Sequence, residues 1–273
     1  MLHLVEKLVK QHPNISLQLH KKVQNLIVSV INSKKYTLDQ KILHIDELLT
    51  NYKRPLSTDR QDYIANKLTS LLVPIINKNQ GFRILDIGGG NGYILSYLGN
   101  KFGLKKENLI CLENCLVGET EFCYKFNMPN ITYCFDPKQL TNNNNTFDLV
   151  ICMVSLHHMS DDYINYCIMP LINSGKYLLI KEHDTNNNEE VKQRIDWEHH
   201  LYHILETTTF LTPQSIKKYL NSYIGNYKSK EEYESLFSEY QLINTYNNLL
   251  ENGCINSVTR LFWQLYKKKQ DVC

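Results

Sequence analysis

The sequence predicts an α/β chain built on a doubly wound, mostly parallel sheet with an α-helical N-terminal extension. Three observations carry this. From Phe82 onward, short apolar runs alternate with amphipathic stretches. The first of those runs feeds directly into a glycine-rich turn. Before it, residues 1–78 carry helical periodicity and little strand signal. The chain of 273 residues therefore divides into a helical region, 1–78, and an α/β domain, 79–273.

In the N-terminal region Leu2, Val5, Leu8 and Val9 share one helix face, as do Val23, Leu26, Ile27 and Val30. A helix over Leu38–Leu49 turns Ile42, Ile45 and Leu49 inward, and Tyr52-Lys53-Arg54-Pro55 ends the pattern. Thr58 and Gln61 have capping-box spacing and open a helix with Ile64, Leu68, Leu71 and Leu72 on its apolar face. Apolar runs at 82–87, 108–112, 131–135, 147–154 and 176–181 read as buried strands. Stretches near 91–102, 115–126 and 160–173 read as the helices between them, and this alternation implies right-handed crossovers. Beyond Asp184 the pattern is helical to about Leu220, and 240–246 with 258–266 supply late strands as an antiparallel pair at the sheet edge.

Composition narrows the class of protein. A net charge of +2 with 21% charged residues gives no strong pull toward nucleic acid. The N-terminus lacks the apolar core and cleavage site of a signal peptide, and no apolar stretch approaches the roughly 20 residues a membrane helix needs. Several of the eight cysteines lie inside strand-like runs, among them Cys111 and Cys152, which fits buried thiols in a reducing compartment better than a disulfide framework. The expectation is a cytoplasmic protein with no membrane association. The asparagine tracts 142–145 and 186–188 read as loops.

The most informative segment is Arg83-Ile84-Leu85-Asp86-Ile87-Gly88-Gly89-Gly90-Asn91-Gly92-Tyr93. An apolar strand carries an acid and runs into glycines where the backbone must turn sharply and approach a ligand closely. Dinucleotide folds use G-x-G-x-x-G to seat a diphosphate on a helix N-terminus. Here the spacing is G-x-G-x-G, at Gly88, Gly90 and Gly92, and Asp86 would repel a diphosphate while suiting the cationic amino acid end of S-adenosylmethionine. Glu113 ends the next strand, where a carboxylate can accept hydrogen bonds from both ribose hydroxyls, and Asp136 ends the third.

This segment resembles motif I of the class I S-adenosylmethionine-dependent methyltransferases. Thr146 to Met159, with Asp148 at the start of the fourth strand and Ser155-Leu156-His157-His158 on the turn after it, is similar to their fourth strand and active-site turn. The resemblance covers residues 58–184 and implies a Rossmann-like fold with S-adenosyl-L-methionine as cofactor. It implies a cofactor set of Asp86, Gly88, Gly90, Gly92, Glu113, Asp136 and Ser155, with Asp136 at the adenine amino group. Lys181-Glu182-His183-Asp184, Asp196-x-x-His199-x-Leu201-Tyr202, Tyr227 to Tyr233 and Thr259 to Trp263 also resemble a set of uncharacterised methyltransferase-like proteins, including ones from large DNA viruses; a viral chain would act in host cytoplasm. That likeness implies one site holding Glu182, His183, Asp184, Asp196 and His199, bordered by Tyr227 and Arg260.

Six of the ten histidines fall between positions 157 and 203, and an open parallel sheet binds ligands beyond the carboxyl ends of its strands. The fourth strand delivers His157 and His158 there, and the fifth delivers Lys181, Glu182, His183 and Asp184. A histidine near its ordinary pKa can deprotonate a hydroxyl or amine acceptor, so His183 is the first choice of base and His157 the second, oriented by Asp184 or Glu182. His199 and Lys181 complete the catalytic candidates. The alternative is that His157 and His158 only close the cofactor pocket. His199 and His203 share a helix face at i, i+4 spacing, but no H-E-x-x-H or C-x-x-C accompanies them, so no metal is expected.

The turn after the fourth strand lacks the aspartate of the Lys-Asp-Lys-Glu tetrad of cap ribose methyltransferases and the Asp-Pro-Pro-Tyr of nucleic-acid amino methyltransferases. A small-molecule acceptor with an O or N centre is therefore favoured over RNA, including capped RNA. A non-catalytic scaffold or regulatory subunit is the reading from another class, and intact Asp86, Gly88, Gly90 and Glu113 weigh against it. The N-terminal helices are expected to cover the cofactor or to form a homodimer contact.

Overall fold

In this computed structural model the described residues are 33–37, 40, 44, 59–76, 81–113, 128–141, 145–193, 195, 196, 223–247 and 260–269. The chain forms two compact units: one of Met1–Ser57, Asn188–Tyr223 and Gly253–Thr259, the other of Thr58–Asn187, Ile224–Asn252 and Arg260–Cys273. In the first, Thr37 and Gln40 bond reciprocally, each side chain accepting the other's backbone N–H, at 3.3 and 2.9 Å. The cap at Thr58, the helices before residue 33, the 115–126 helix and most of the stretch from Asp196 to Leu220 lie outside the described residues.

The second unit holds a seven-stranded sheet in the order β3-β2-β1-β4-β5-β7-β6. The strands are β1 (Ile84–Ile87), β2 (Leu109–Leu112), β3 (Thr132–Cys134), β4 (Phe147–Met153), β5 (Gly175–Asp184), β6 (Tyr240–Asn247) and β7 (Arg260–Lys268). β1 to β5 are parallel to one another, while β7 runs antiparallel to both β5 and β6. β1 and β2 are buried at every position, as expected of parallel strands covered on both faces. The late strands pair as predicted, but β7 is inserted beside β5, so β6 alone forms the edge. β5 outruns its apolar stretch because Lys181, Glu182, His183 and Asp184 pair with Trp263, Phe262, Leu261 and Arg260.

One face packs Ile84, Leu149, Ile151, Leu179, Trp263 and Leu265 against Ile64, Leu68 and Leu72 of α1 (Asp59–Leu72) and Leu95 and Leu98 of α2 (Tyr93–Phe102). The other packs Leu85, Val150, Cys152, Leu178, Ile180 and Phe262 against α3 (Pro137–Thr141), the 161–172 helix and Tyr233 and Phe237. The expected 160–173 helix is interrupted. α4 (Asp161–Tyr163) and α5 (Met169–Ile172) flank a π-helical turn, Ile164–Ile168, just before Pro170, which has no N–H to continue an α ladder. α6 (Lys230–Leu236) starts at a Ser229–Glu232 capping box. Cys111, Cys134, Cys152 and Cys167 are free thiols, and among the described residues no helix is long and apolar enough to cross a membrane.

Candidate active site

The strand order reverses direction between β1 and β4, and the crevice outside their carboxyl ends is where an open α/β sheet binds ligands. The β1–α2 loop lies there. Gly88, Gly90 and Gly92 have φ of 71°, 58° and 71°, the left-handed region that disfavours side chains. A Cβ on Gly88 would stand 2.5 Å from the Ser155 Cβ, so this glycine lets the β1 and β4 turns meet. Among the described residues a Cβ on Gly90 would meet nothing within 4 Å, so its backbone faces open space there.

Beneath that loop Asp86 is buried, and among the described residues neither carboxylate oxygen has a hydrogen-bond partner. Burial first, and the charge of Glu113 second, push its carboxyl up to about 7. A buried carboxylate without a partner is costly and calls for a cation. Glu113 follows β2, and its Oε2 accepts the Gly90 N–H at 2.7 Å. A carboxylate awaiting a cation, a glycine backbone open to approach and a second carboxylate bonded to that backbone from the end of β2 suit an adenosyl amino acid.

The turn after β4 is organised by one side chain. Glu182 is wholly buried; its Oε1 accepts the backbone N–H of Ser155 and of Leu156, both at 2.8 Å, and its Oε2 receives the His157 Nδ1–H at 2.6 Å. Burial drives its carboxyl up, but the His157 imidazole and the two N–H donors outweigh that and hold it below its ordinary value. An ionised carboxylate cannot donate, so Nδ1 of His157 carries the hydrogen in this bond. Val154, β-branched, enters the turn at φ 54°, its N–H bonded to the Lys181 carbonyl at 2.7 Å. Such a residue is a steric outlier, and the surrounding bonds hold it there.

The His157 ring lies edge-on to His183 with centroids 5.2 Å apart, 4.1 Å from His158, and stacked on Tyr227 at 5.0 Å. Tyr227 arrives on an irregular strap, 224–229, pinned where Asn226 N–H donates to the His157 carbonyl (2.8 Å) and Thr185 N–H to the Lys228 carbonyl (3.3 Å). Lys228 also pairs with Asp161 at 2.7 Å.

Of the residues chosen from sequence, Asp86, Gly88, Gly90, Gly92, Glu113 and Ser155 all line or support the glycine loop. Ser155 does so through its fold, its hydroxyl donating to the Ile87 carbonyl at 2.9 Å. Glu182, His157 and His183 come together, and His183 is the more exposed imidazole of the two, 7% against 0% for His157. Asp184 points its Oδ1 to the N–H groups of Asn186 (2.8 Å) and Lys230 (3.2 Å), closing a turn and the start of α6. Lys181 is buried with its ammonium 5.1 Å from the centre of the Trp263 ring. Asp136 is exposed and accepts the Lys138 N–H at 3.0 Å, an Asx turn at the start of α3. Asp148 works at the opposite end of the sheet, accepting Arg83 N–H (2.9 Å) and Lys176 Nζ (2.7 Å). His199 and the Arg260 side chain lie outside the described residues, and Asp196 belongs to the other unit. Among the described residues no group of three His, Cys, Asp or Glu side chains is arranged to hold a metal ion. Sequence reading gave Tyr227 only a border position, although its ring stacks on His157.

The methyltransferase domain family matches residues 56–245. The chain belongs to that family. A methyltransferase-fold crystal structure from Anabaena variabilis, described as S-adenosylmethionine-dependent, aligns with a TM-score of 0.52 at 17% identity over 82% of this chain and 92% of its own, a likeness of fold. Magnesium protoporphyrin IX methyltransferase of Synechocystis, crystallised with S-adenosylhomocysteine, aligns at 14% identity over 95% of this chain and 100% of its own, with a TM-score of 0.48. The human mitochondrial arginine-hydroxylase NDUFAF5 is 33% identical over 91 residues, 32% of this chain and 25% of that protein, so the match spans about a quarter of the relative. This chain of the methyltransferase domain family therefore carries a Rossmann-like α/β fold.

Proposed function

We propose that this methyltransferase acts on an O or N centre of a small molecule, with His183 as the base that takes the acceptor's proton. The observation that carries this is the placing of His183 edge-on to His157, whose Nδ1 is bonded to the buried Glu182 carboxylate. Glu182 and His157 fix the β4 turn and give the ring behind His183 one orientation. His157 is wholly covered while His183 keeps some exposure, which supports His183 over His157 as the group that takes the acceptor's proton. Burial of the cluster also supports a compact acceptor, which must bring its nucleophile to a nearly covered imidazole. On the cofactor side, Asp86 would take the ammonium, Glu113 the ribose hydroxyls, and the Gly88–Gly92 backbone would lie against the adenosyl amino acid. When bound, S-adenosylmethionine supplies an electrophilic methyl group on its sulfonium.

Turnover of a panel of small phenols, amines and carboxylic acids, measured with methyl-labelled cofactor beside capped and uncapped RNA, tests the assignment. Expected is methylation of a small acceptor, and loss of about 100-fold or more in kcat for His183→Gln with the cofactor Kd unchanged. Methylation of RNA alone overturns the small-molecule assignment. Full turnover by His183→Gln removes His183 as the base.

A further inference from the structure

α1 and α2 are joined by a polar ladder with the same i, i+4 spacing on each helix. The Tyr93 hydroxyl donates to Asp62 Oδ1 at 2.5 Å, and one turn further along the Tyr97 hydroxyl donates to Asn66 Oδ1 at 2.8 Å. Residues four apart lie above one another on a helix face, so two rungs form wherever two such faces meet. The rungs are unequal. Asp62 brings a carboxylate, and hydroxyl-to-carboxylate bonds are shorter and stronger than neutral ones. They also differ in what they are attached to.

Tyr93 is the first residue of α2 and follows Gly92, the last glycine of the cofactor loop and the N-cap of that helix. Gly92 cannot shift easily: a Cβ there would stand 2.0 Å from Ile131 Cδ1 and 2.9 Å from the Tyr133 hydroxyl. Its neighbour Asn91 is held as well, its carbonyl accepting the Tyr133 hydroxyl at 2.7 Å and its Oδ1 accepting the Tyr93 N–H at 3.1 Å. On the far side of the loop, Glu113 holds the Gly90 N–H. The short stretch of backbone that faces open space at Gly90 is thus fixed from β2 at one end and, through Tyr93, from α1 at the other. Tyr97 is a full turn inside α2 and has no such connection.

We propose that Asp62 is a positioning residue for the cofactor: through the Tyr93 hydroxyl it sets the Gly90–Gly92 backbone for the amino acid end of S-adenosylmethionine, so that α1 determines cofactor affinity without needing to touch the ligand. This rests on the glycine loop being the cofactor site. The Tyr97–Asn66 rung is a built-in control, since cutting it removes a similar α1–α2 bond and leaves the loop alone.

Calorimetric titration of the full chain with S-adenosylhomocysteine, paired with thermal melting, tests this on Tyr93→Phe, Asp62→Asn and Tyr97→Phe. Expected is a Kd about five- to tenfold weaker for Tyr93→Phe, a smaller loss for Asp62→Asn, and a Kd within about twofold of the parent for Tyr97→Phe, although Tyr97→Phe also melts below the parent. Adding Asp62→Asn to Tyr93→Phe should weaken binding no further, because the two act through one bond. A parent chain that binds with Tyr93→Phe unchanged, or with Tyr97→Phe equally impaired, overturns the positioning role while leaving the cofactor site intact. Absence of binding by the parent chain overturns the site assignment itself, and the positioning role with it.

Discussion

Glu182 and His157 form a wholly buried pair, with His157 Nδ1 2.6 Å from Glu182 Oε2 and neither side chain accessible to solvent. The same carboxylate also receives two backbone N–H groups, so the strand β5 side chain fixes both the β4 turn and the orientation of the ring on it.

Removing one member of such a pair should therefore be severe. Glu182→Leu leaves two buried N–H donors and an imidazole without their acceptor, and is expected to destabilise the protein by about 3–5 kcal/mol. Urea unfolding measures it directly. A loss under about 1 kcal/mol would mean that the turn is held by other bonds.

Asp86 gives a pH dependence of fixed sign. Its carboxyl is raised from 3.8 to about 7, burial being the main cause and Glu113 the lesser. A raised folded-state pKa contributes stability that is complete below the unfolded value and is lost as pH rises through the folded value. Without cofactor, Asp86→Asn should melt with the parent near pH 4 and above it at pH 8, by an amount on the order of a few kcal/mol. Cofactor affinity runs the other way. The ammonium pairs with the carboxylate, so affinity should fall by up to about tenfold per pH unit below 7 and level off above it. Titration calorimetry from pH 5.5 to 8.5 reads this, and a flat profile removes Asp86 as the ammonium's partner.

The glycines separate folding from binding. Gly92→Ala places a Cβ against Ile131 and Tyr133 at positive φ, and should destabilise by about 3 kcal/mol or more. Gly90→Ala meets only open space, so its strain is that of a single left-handed residue, about 1–2 kcal/mol. Yet Gly90→Ala should lose most cofactor affinity, because its methyl group occupies the space the ligand approaches. Equal binding by Gly90→Ala and the parent would move the ligand elsewhere.

What the sequence reveals about this protein follows from range. β1 with its glycine loop is a contiguous signal, and Asp86, Gly90 and Glu113 are found at the ends of the strands that their apolar runs predict. The central role of Glu182 is harder to read. In a strand it alternates with Lys181 and His183, and only the packed fold shows that its carboxylate reaches back to the preceding turn. The extension of β5 through Asp184 depends on pairing with Arg260 to Trp263, and the insertion of β7 between β5 and β6 depends on a crossing that no local pattern encodes. Asp136 shows the opposite limit: an acid after a strand end with a proline next to it is also an Asx-turn signal, and its Oδ1 is used that way.

The strap residue Tyr227 supplies the last contrast. Its ring is buried and stacked on His157, so Tyr227→Ala removes aromatic packing and leaves a cavity beside the ring that faces His183; a loss of about 3 kcal/mol in stability is expected, with kcat reduced more than cofactor affinity. Lys228, the next residue, pairs with an Asp161 side chain that is 65% exposed. An ion pair so open to water contributes little, and Lys228→Met should change stability by less than about 1 kcal/mol and leave turnover within about twofold. Melting curves and steady-state kinetics on the two variants distinguish a strap that acts through its aromatic ring from one that acts through its charge. If Lys228→Met impairs turnover as much as Tyr227→Ala, the anchoring of the strap, rather than the stack on His157, is what the active site needs.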